Sequence, residues 1–221
     1  MAKDGRVIVE VISLPENISA IAFDLDQTLY DNKAYISSHK TVLLRQLAER
    51  LKRSFDLVEA DVDKVKEQYS LANEGKTLSL TDTLSRFGIS IKEVSSWKEL
   101  FSPESFLGPD PKLAETLEIL SKRYKIAAVT NSPTNVGLRT LGVLGVEKYF
   151  SEVIGLDIAG ESKPSMKFYR ILSERMSIPI PQMVSVGDRK DIDIEVPVKN
   201  GMGGIWVKSV EGVYRLPEIL R

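Results

Sequence analysis

The stretch Ala20-Ile21-Ala22-Phe23-Asp24-Leu25-Asp26 decides the fold of this chain. Four apolar residues in a row, with no polar alternation, read as a strand buried on both faces, which is the habit of parallel sheets. Two carboxylates follow at once, spaced by two. Residues i and i+2 of an extended backbone point the same way, so Asp24 and Asp26 are expected to leave the strand's carboxyl end together. Open parallel sheets bind their ligands at that edge. Like charges held so close repel, and one pKa rises unless a cation sits between them. The stretch asks for a metal, a shared proton, or both.

Working outward, residues 125–130 (Lys-Ile-Ala-Ala-Val-Thr) and 183–187 (Met-Val-Ser-Val-Gly) repeat the pattern of a short apolar run ending in polar or small residues. Residues 204–207 make the last clear strand, 152–155 a short one, and 6–13 a further strand ahead of the first, closed by the turn Leu14-Pro15-Glu16-Asn17. Between them, Asp110-Pro111 opens a helix with an acid at the cap and Pro at the first position. Helices are also expected over 135–144, 165–176 and 191–199, the last kinked or shortened by Pro197. Strands alternating with helices give an α/β fold, a parallel sheet with helices on both faces.

Residues 33–103 break this alternation. Leu43, Leu44, Leu47 and Leu51, then Val58, Val62, Val65 and Tyr69, recur at helical spacing, and similar stripes run through Leu84 and Trp97. About four helices packed on one another are expected, inserted after Tyr30, with joints near 31 and 105.

Composition bounds the rest. A chain of 221 residues, 43% hydrophobic and 28% charged, is long enough to bury a sizeable core. A formal net charge of −1 with both signs interspersed offers no basic stripe for nucleic acid. No apolar run reaches the roughly 20 residues of a membrane span, and residues 1–5 carry no secretory pattern. With no cysteine and a single histidine, His39, thiolate catalysis, Cys-zinc sites and a Ser-His-Asp triad are set aside. The expectation is a soluble cytoplasmic protein without nucleic-acid or membrane partners. Few Asn and Gln beside many Lys, Glu and Arg hint at a thermophile source.

The ends of the three clear buried strands gather the chemistry: Asp24 and Asp26, then Thr130, Asn131 and Ser132, then Asp188 with Asp191 and Asp193 just beyond. Lys163-Pro164 stands in a loop before a helix. Hard carboxylate oxygens suit Mg²⁺. A nucleophilic carboxylate is a known route for phosphoryl transfer, with hydroxyl, N–H and lysine groups holding the phosphoryl oxygens.

Asp24-Leu25-Asp26-Gln27-Thr28, Thr130-Asn131-Ser132, Lys163-Pro164 and Gly187-Asp188-Arg189-Lys190-Asp191-Ile192-Asp193 resemble, in order and separation, the four motifs of the haloacid dehalogenase superfamily. The resemblance spans about 19 to 207, and the helical stretch between the first two motifs is similar to that family's C1 cap. It implies a Rossmann-like core over 1–30 and 105–221 and a cap over 31–104. It further implies Asp24 as nucleophile and Mg²⁺ ligand, and Asp26 as general acid and base with its backbone carbonyl on the metal. Thr130 and the Asn131 N–H would bind the phosphoryl group, Lys163 would pair with nucleophile and phosphate, and Asp188 would complete the metal shell with Asp193. The dehalogenases that named the family lack an acid at the position of Asp26, so this chain resembles the phosphatases, acting on a small phosphorylated metabolite. The four acids outnumber Lys163 so far that a phosphate anion requires a metal and a protonated Asp26.

A phosphomutase shares this machinery, and a receiver-like signalling domain gathers similar groups without a helical insert; a catalytically idle scaffold is the third alternative. Glu161-Ser162 before Lys163 and Pro197 after the last motif depart from the family pattern. Asp191 reads as a helix cap, His39 as solvated surface, and Lys33, Tyr35 and Arg86 as residues of the insert that face the site at best weakly.

Overall fold

The computed structural model describes residues 8–221. Its strands are β1 (Val9–Ser13), β2 (Ala20–Phe23), β3 (Lys125–Val129), β4 (Phe150–Ile154), β5 (Met183–Gly187) and β6 (Gly203–Val207), in one sheet of order β1-β6-β5-β2-β3-β4. All neighbours are parallel except β1, which pairs antiparallel with β6 at the edge. Arg6 and Val7 of the expected first strand, and residues 1–5, lie outside the described residues.

After β2 come α1 (Lys33–Leu51), α2 (Phe55–Ala72), α3 (Leu80–Ser85) and α4 (Ile91–Lys98). The chain then returns through α5 (Pro111–Ser121), α6 (Thr134–Leu144), α7 (Leu156–Ala159), α8 (Lys167–Met176) and α9 (Glu195–Lys199), with α10 (Val210–Val213) and α11 (Leu216–Ile219) at the end. Asp110 caps α5 as its sequence suggests, its carboxylate accepting from the Leu113 N–H at 2.9 Å.

The two-residue period of β2 divides the core. Ile21 and Phe23 face one apolar layer with Leu117, Leu141 and Val186, whereas Ala20 and Ala22 face the other with Phe168, Leu172 and Met183. All four are at most 1% exposed, as a central parallel strand requires. The helical insert has its own cluster, Leu43, Leu44, Leu47, Val58, Val62, Leu84 and Val94, shared with Val136 and Leu156 of the α/β part. β2 lies between β3 and β5, so its carboxyl end opens at the point where the strand order reverses, which is where open α/β sheets place ligands.

The largest departure from expectation is at 191–199. A π-helical turn (Lys190–Ile194) precedes the five-residue α9. Pro197 has no N–H to give to the carbonyl four residues back. That carbonyl, of Asp193, accepts instead from the Ser185 hydroxyl at 2.7 Å and the Tyr169 hydroxyl at 3.4 Å. The proline thus ties the segment to β5 and α8 rather than merely kinking a helix.

Candidate active site

Asp24 follows directly on β2, and its N–H donates to the Val186 carbonyl at 2.8 Å, carrying the β2–β5 ladder one residue further. This fixes the direction in which its carboxylate leaves the sheet. The side chain is buried; Oδ1 accepts from Lys163 Nζ at 2.5 Å and Oδ2 from the Thr28 hydroxyl at 3.4 Å. Lys163, 1% exposed, also donates to Asp193 Oδ1 at 2.7 Å and to the Val129 carbonyl at 3.0 Å. An ammonium has three donors, so all are engaged.

Asp188 enters from the end of β5. Carboxylate oxygens of Asp24, Asp188 and Asp193 lie within 4.8 Å of one another. Asp193 reaches this place because Gly187 lets it: a Cβ at 187 would stand 2.4 Å from the Asp193 Cβ, closer than two carbons approach. The Arg189 N–H holds its other oxygen at 3.1 Å.

Electrostatics show what this packing costs. Burial pushes Asp24 up to about 7, against the pull of the Lys163 charge and with the push of Asp193 and Asp26. Burial, then the charges of Asp24 and Asp193, push Asp188 up to about 8. Burial alone would lower Lys163, but the Asp193 and Asp24 charges outweigh it and raise it. Asp24 alone is therefore only partly ionised near neutral pH, and a further cation beside it would complete the ionisation. Three converging hard oxygens of this kind fit a divalent cation. The donors that would hold it are Asp24, Asp188 and Asp193, the first and last shared with Lys163.

Asp26 is not part of this cluster, although alternation puts it on the same side as Asp24 and both line one cavity. Gln27, at φ +61°, is in the left-handed region and turns the chain immediately after Asp26. Gln27 Nε2 reaches Asp188 Oδ2 at 3.5 Å. The buried Tyr30, four residues beyond Asp26, donates its hydroxyl to Asp26 Oδ1. Tyr30 was not legible as a site residue, although an aromatic hydroxyl four residues after the acid was a signal.

Asp24, Asp26, Asp188, Asn131 and Ser132 form part of the wall of a cavity of about 370 Å³ whose roof comes from the insert. Thr130 is fully buried and does not line it; its Oγ1 accepts from the Ser132 N–H at 3.0 Å. The Asn131 side chain accepts from the Lys163 N–H at 2.7 Å, joining the second and third motif loops. Lys163 reaches the cluster from behind the cavity wall.

Several readings of single residues are corrected. Asp191 does not cap a helix; its Oδ2 accepts from the Thr77 N–H at 2.9 Å and hydroxyl at 2.7 Å, fastening the insert to the core. Ser162, in the departing segment before Lys163, donates to Asp82 of α3 at 2.5 Å and makes a second such tie. His39 is not solvated surface: its ring stacks on Phe101 at 3.9 Å and meets the edge of Tyr35 at 4.2 Å. Tyr35, His39, Leu43 and Leu47 share one face at a spacing of four, so the buried stripe of α1 begins two turns before Leu43. Of Lys33, Tyr35 and Arg86 none lines the cavity; Tyr35 is core and Arg86 covers the Tyr69 ring. His39, Lys40, Lys66 and Lys98 line it instead.

The comparisons agree with this geometry. A family model described as haloacid dehalogenase-like hydrolase matches residues 18–198. The phosphoglycolate phosphatase of Neisseria meningitidis is 30% identical over 92% of this chain and 93% of its own length. The 5-amino-6-(5-phospho-D-ribitylamino)uracil phosphatase of Escherichia coli is 27% identical over 88% of this chain and 85% of its own. Among solved structures, a HAD phosphatase from Thermococcus onnurineus superposes with a TM-score of 0.60 at 21% identity, covering 92% of this chain and 98% of that one, a likeness of fold. With the match spanning all four motifs and most of the chain, the protein belongs to the haloacid dehalogenase-like hydrolase family.

Proposed function

We propose that this enzyme is a Mg²⁺-dependent phosphatase that hydrolyses a small phosphate monoester in the cytoplasm through an aspartyl-phosphate on Asp24. The observation that carries the reading is the buried Asp24–Lys163–Asp193 network beside Asp188, opening with Asp26 onto one cavity. Relatives named phosphoglycolate phosphatase and, in Methanocaldococcus jannaschii, glyceraldehyde 3-phosphate phosphatase support the substrate class.

In this reading the Asp24 carboxylate attacks phosphorus while the bond from phosphorus to the ester oxygen breaks. Asp26 gives that oxygen its proton, and the alcohol leaves. Asp26 then takes a proton from water, which attacks the acyl-phosphate phosphorus; the bond to Asp24 breaks and inorganic phosphate departs. Lys163 holds Asp24 in place, Tyr30 orients Asp26, and the Asn131 N–H binds phosphoryl oxygens. The Thr130 hydroxyl, buried behind the cavity wall, braces that loop through the Ser132 N–H rather than touching phosphate as its motif position suggested. Asp24, Asp188 and Asp193, with the Asp26 carbonyl, would hold Mg²⁺, which would supply positive charge against the phosphoryl oxygens.

Residues 31–104 act as the cap that encloses the substrate. Asn32 Nδ2 donates to the Phe106 carbonyl at 2.7 Å, which pins the two connecting segments side by side and supports boundaries at this place. Among the described residues no helix is long and apolar enough to cross a membrane. The test is phosphate release from an aryl phosphate with Mg²⁺. It should vanish with EDTA and in Asp24→Asn; turnover by that variant at the wild-type rate sinks the assignment.

A further inference from the structure

The roof of the cavity holds a cation that this chemistry leaves unused. Lys98, the last residue of α4, is 6% exposed and lines the cavity. Its ammonium donates to Thr81 Oγ1 at 2.8 Å and to the Asn131 carbonyl at 2.5 Å. Both acceptors are neutral, and among the described residues no carboxylate oxygen lies within 4.0 Å of it. Lys40, on the same wall, contrasts with it: Glu59 at 3.0 Å and Asp63 at 3.1 Å answer its charge.

A buried charge without a counter-charge is costly, and a tether from insert to core needs only a neutral donor. Burial lowers Lys98 to about 8, opposed by the Asp26 and Asp82 charges, so it stays charged at neutral pH but holds its proton less tightly than a free lysine. One of its three N–H donors has no partner, and the Thr81 hydroxyl, which accepts from Lys98, donates to no described residue. Two buried nitrogens without partners, His39 Nε2 and Asn131 Nδ2, belong to residues of the same cavity wall. The roof side of the wall thus keeps an ammonium donor and polar nitrogens without a described partner, while the carboxylates of the same cavity, Asp24, Asp26 and Asp188, belong to its floor.

We infer that Lys98 and Thr81 form a subsite for a second anionic group on the alcohol side of the substrate. The reacting phosphoryl group occupies the floor at Asp24, so the roof meets the leaving alcohol. The inference rests on the phosphatase reading and narrows its substrates to monoesters that bear a carboxylate or a second phosphate.

The experiment uses matched pairs of phosphate monoesters that differ only at the far end, carboxylate against hydroxymethyl and second phosphate against hydroxyl, on the full chain with Mg²⁺. The wild type should prefer the anionic member of at least one pair by about tenfold or more in kcat/KM, as a charge-assisted hydrogen bond provides. The pair with the larger preference names the group. Lys98→Gln should reduce that preference to within about threefold, through KM of the anionic member. Thr81→Val, which keeps the lysine, should weaken it in the same direction, and the wild-type preference decides the matter if Lys98→Gln does not fold. Equal turnover of both members of every pair by the wild type overturns the subsite. So does a Lys98→Gln variant that slows both members alike, which marks a tether only. Failure to hydrolyse any ester removes the phosphatase reading itself and the subsite with it.

Discussion

Asp188→Asn separates what the site costs the fold from what it gives to function. The substitution keeps the volume of the side chain and deletes its charge. Asp188 has its pKa raised from 3.8 to about 8 by burial and by the Asp24 and Asp193 charges. A group with a raised acid pKa binds its proton more tightly in the native state, so native stability falls as pH rises from about 4 to about 8. At about 1.4 kcal/mol per unit, the unscreened penalty near pH 7.5 is about 5 kcal/mol. Solvent reaches part of this side chain, and screening brings the expected effect to about 2 kcal/mol. In EDTA, Asp188→Asn should therefore be more stable than the wild type by about 2 kcal/mol near pH 7.5, and by about a third of that near pH 5. Mg²⁺ at a hundredfold excess over Kd should stabilise the wild type by about 2.7 kcal/mol and the variant far less, reversing the order. Urea unfolding followed by circular dichroism reads all three conditions. A variant no more stable than the wild type in EDTA at either pH, or one stabilised by Mg²⁺ as strongly, refutes the reasoning.

Three further outcomes follow from the contacts. Lys163→Met removes the charge shared by Asp24 and Asp193; chemical denaturation should show a loss of about 3–5 kcal/mol, and activity should disappear. Tyr30→Phe frees Asp26 from its hydroxyl partner; kcat should fall about tenfold for an alkyl phosphate, whose leaving oxygen needs a proton, and much less for nitrophenyl phosphate. Gly187→Ala drives a methyl group into Asp193; the fold should lose about 1–3 kcal/mol, and calorimetry should show weakened Mg²⁺ binding.

How much of this the chain reveals depends on whether local pattern or distant contact decides each residue. β2 was legible because a central parallel strand must be apolar on both faces, and Asp24 because the strand's end is fixed once the strand is. The insert was legible because its helices bury stripes at 3.6-residue spacing against one another. Asp193 is different: it was named from its place in a motif, while its inward direction depends on Gly187, Ser185 and Pro197 together. Pro197 looked like a defect because the partner that replaces its missing N–H, Ser185, sits on another strand. His39 was misread because the Phe101 ring that covers it is far along the chain. Lys98 gave no signal at all, since a lysine near the end of a short helix ordinarily reaches solvent. Here the core's Asn131 carbonyl and the Thr81 hydroxyl hold it inside.

The central claim is that the buried Asp24 is the nucleophile. Acid quenching of a running reaction with Mg²⁺, followed by borohydride reduction and peptide mass spectrometry, reads it directly, because an acyl-phosphate is reduced to the alcohol. The account predicts homoserine at position 24 and at no other acid. Steady phosphate release with the reduced residue at Asp26, Asp188 or Asp193, or at none, would contradict it.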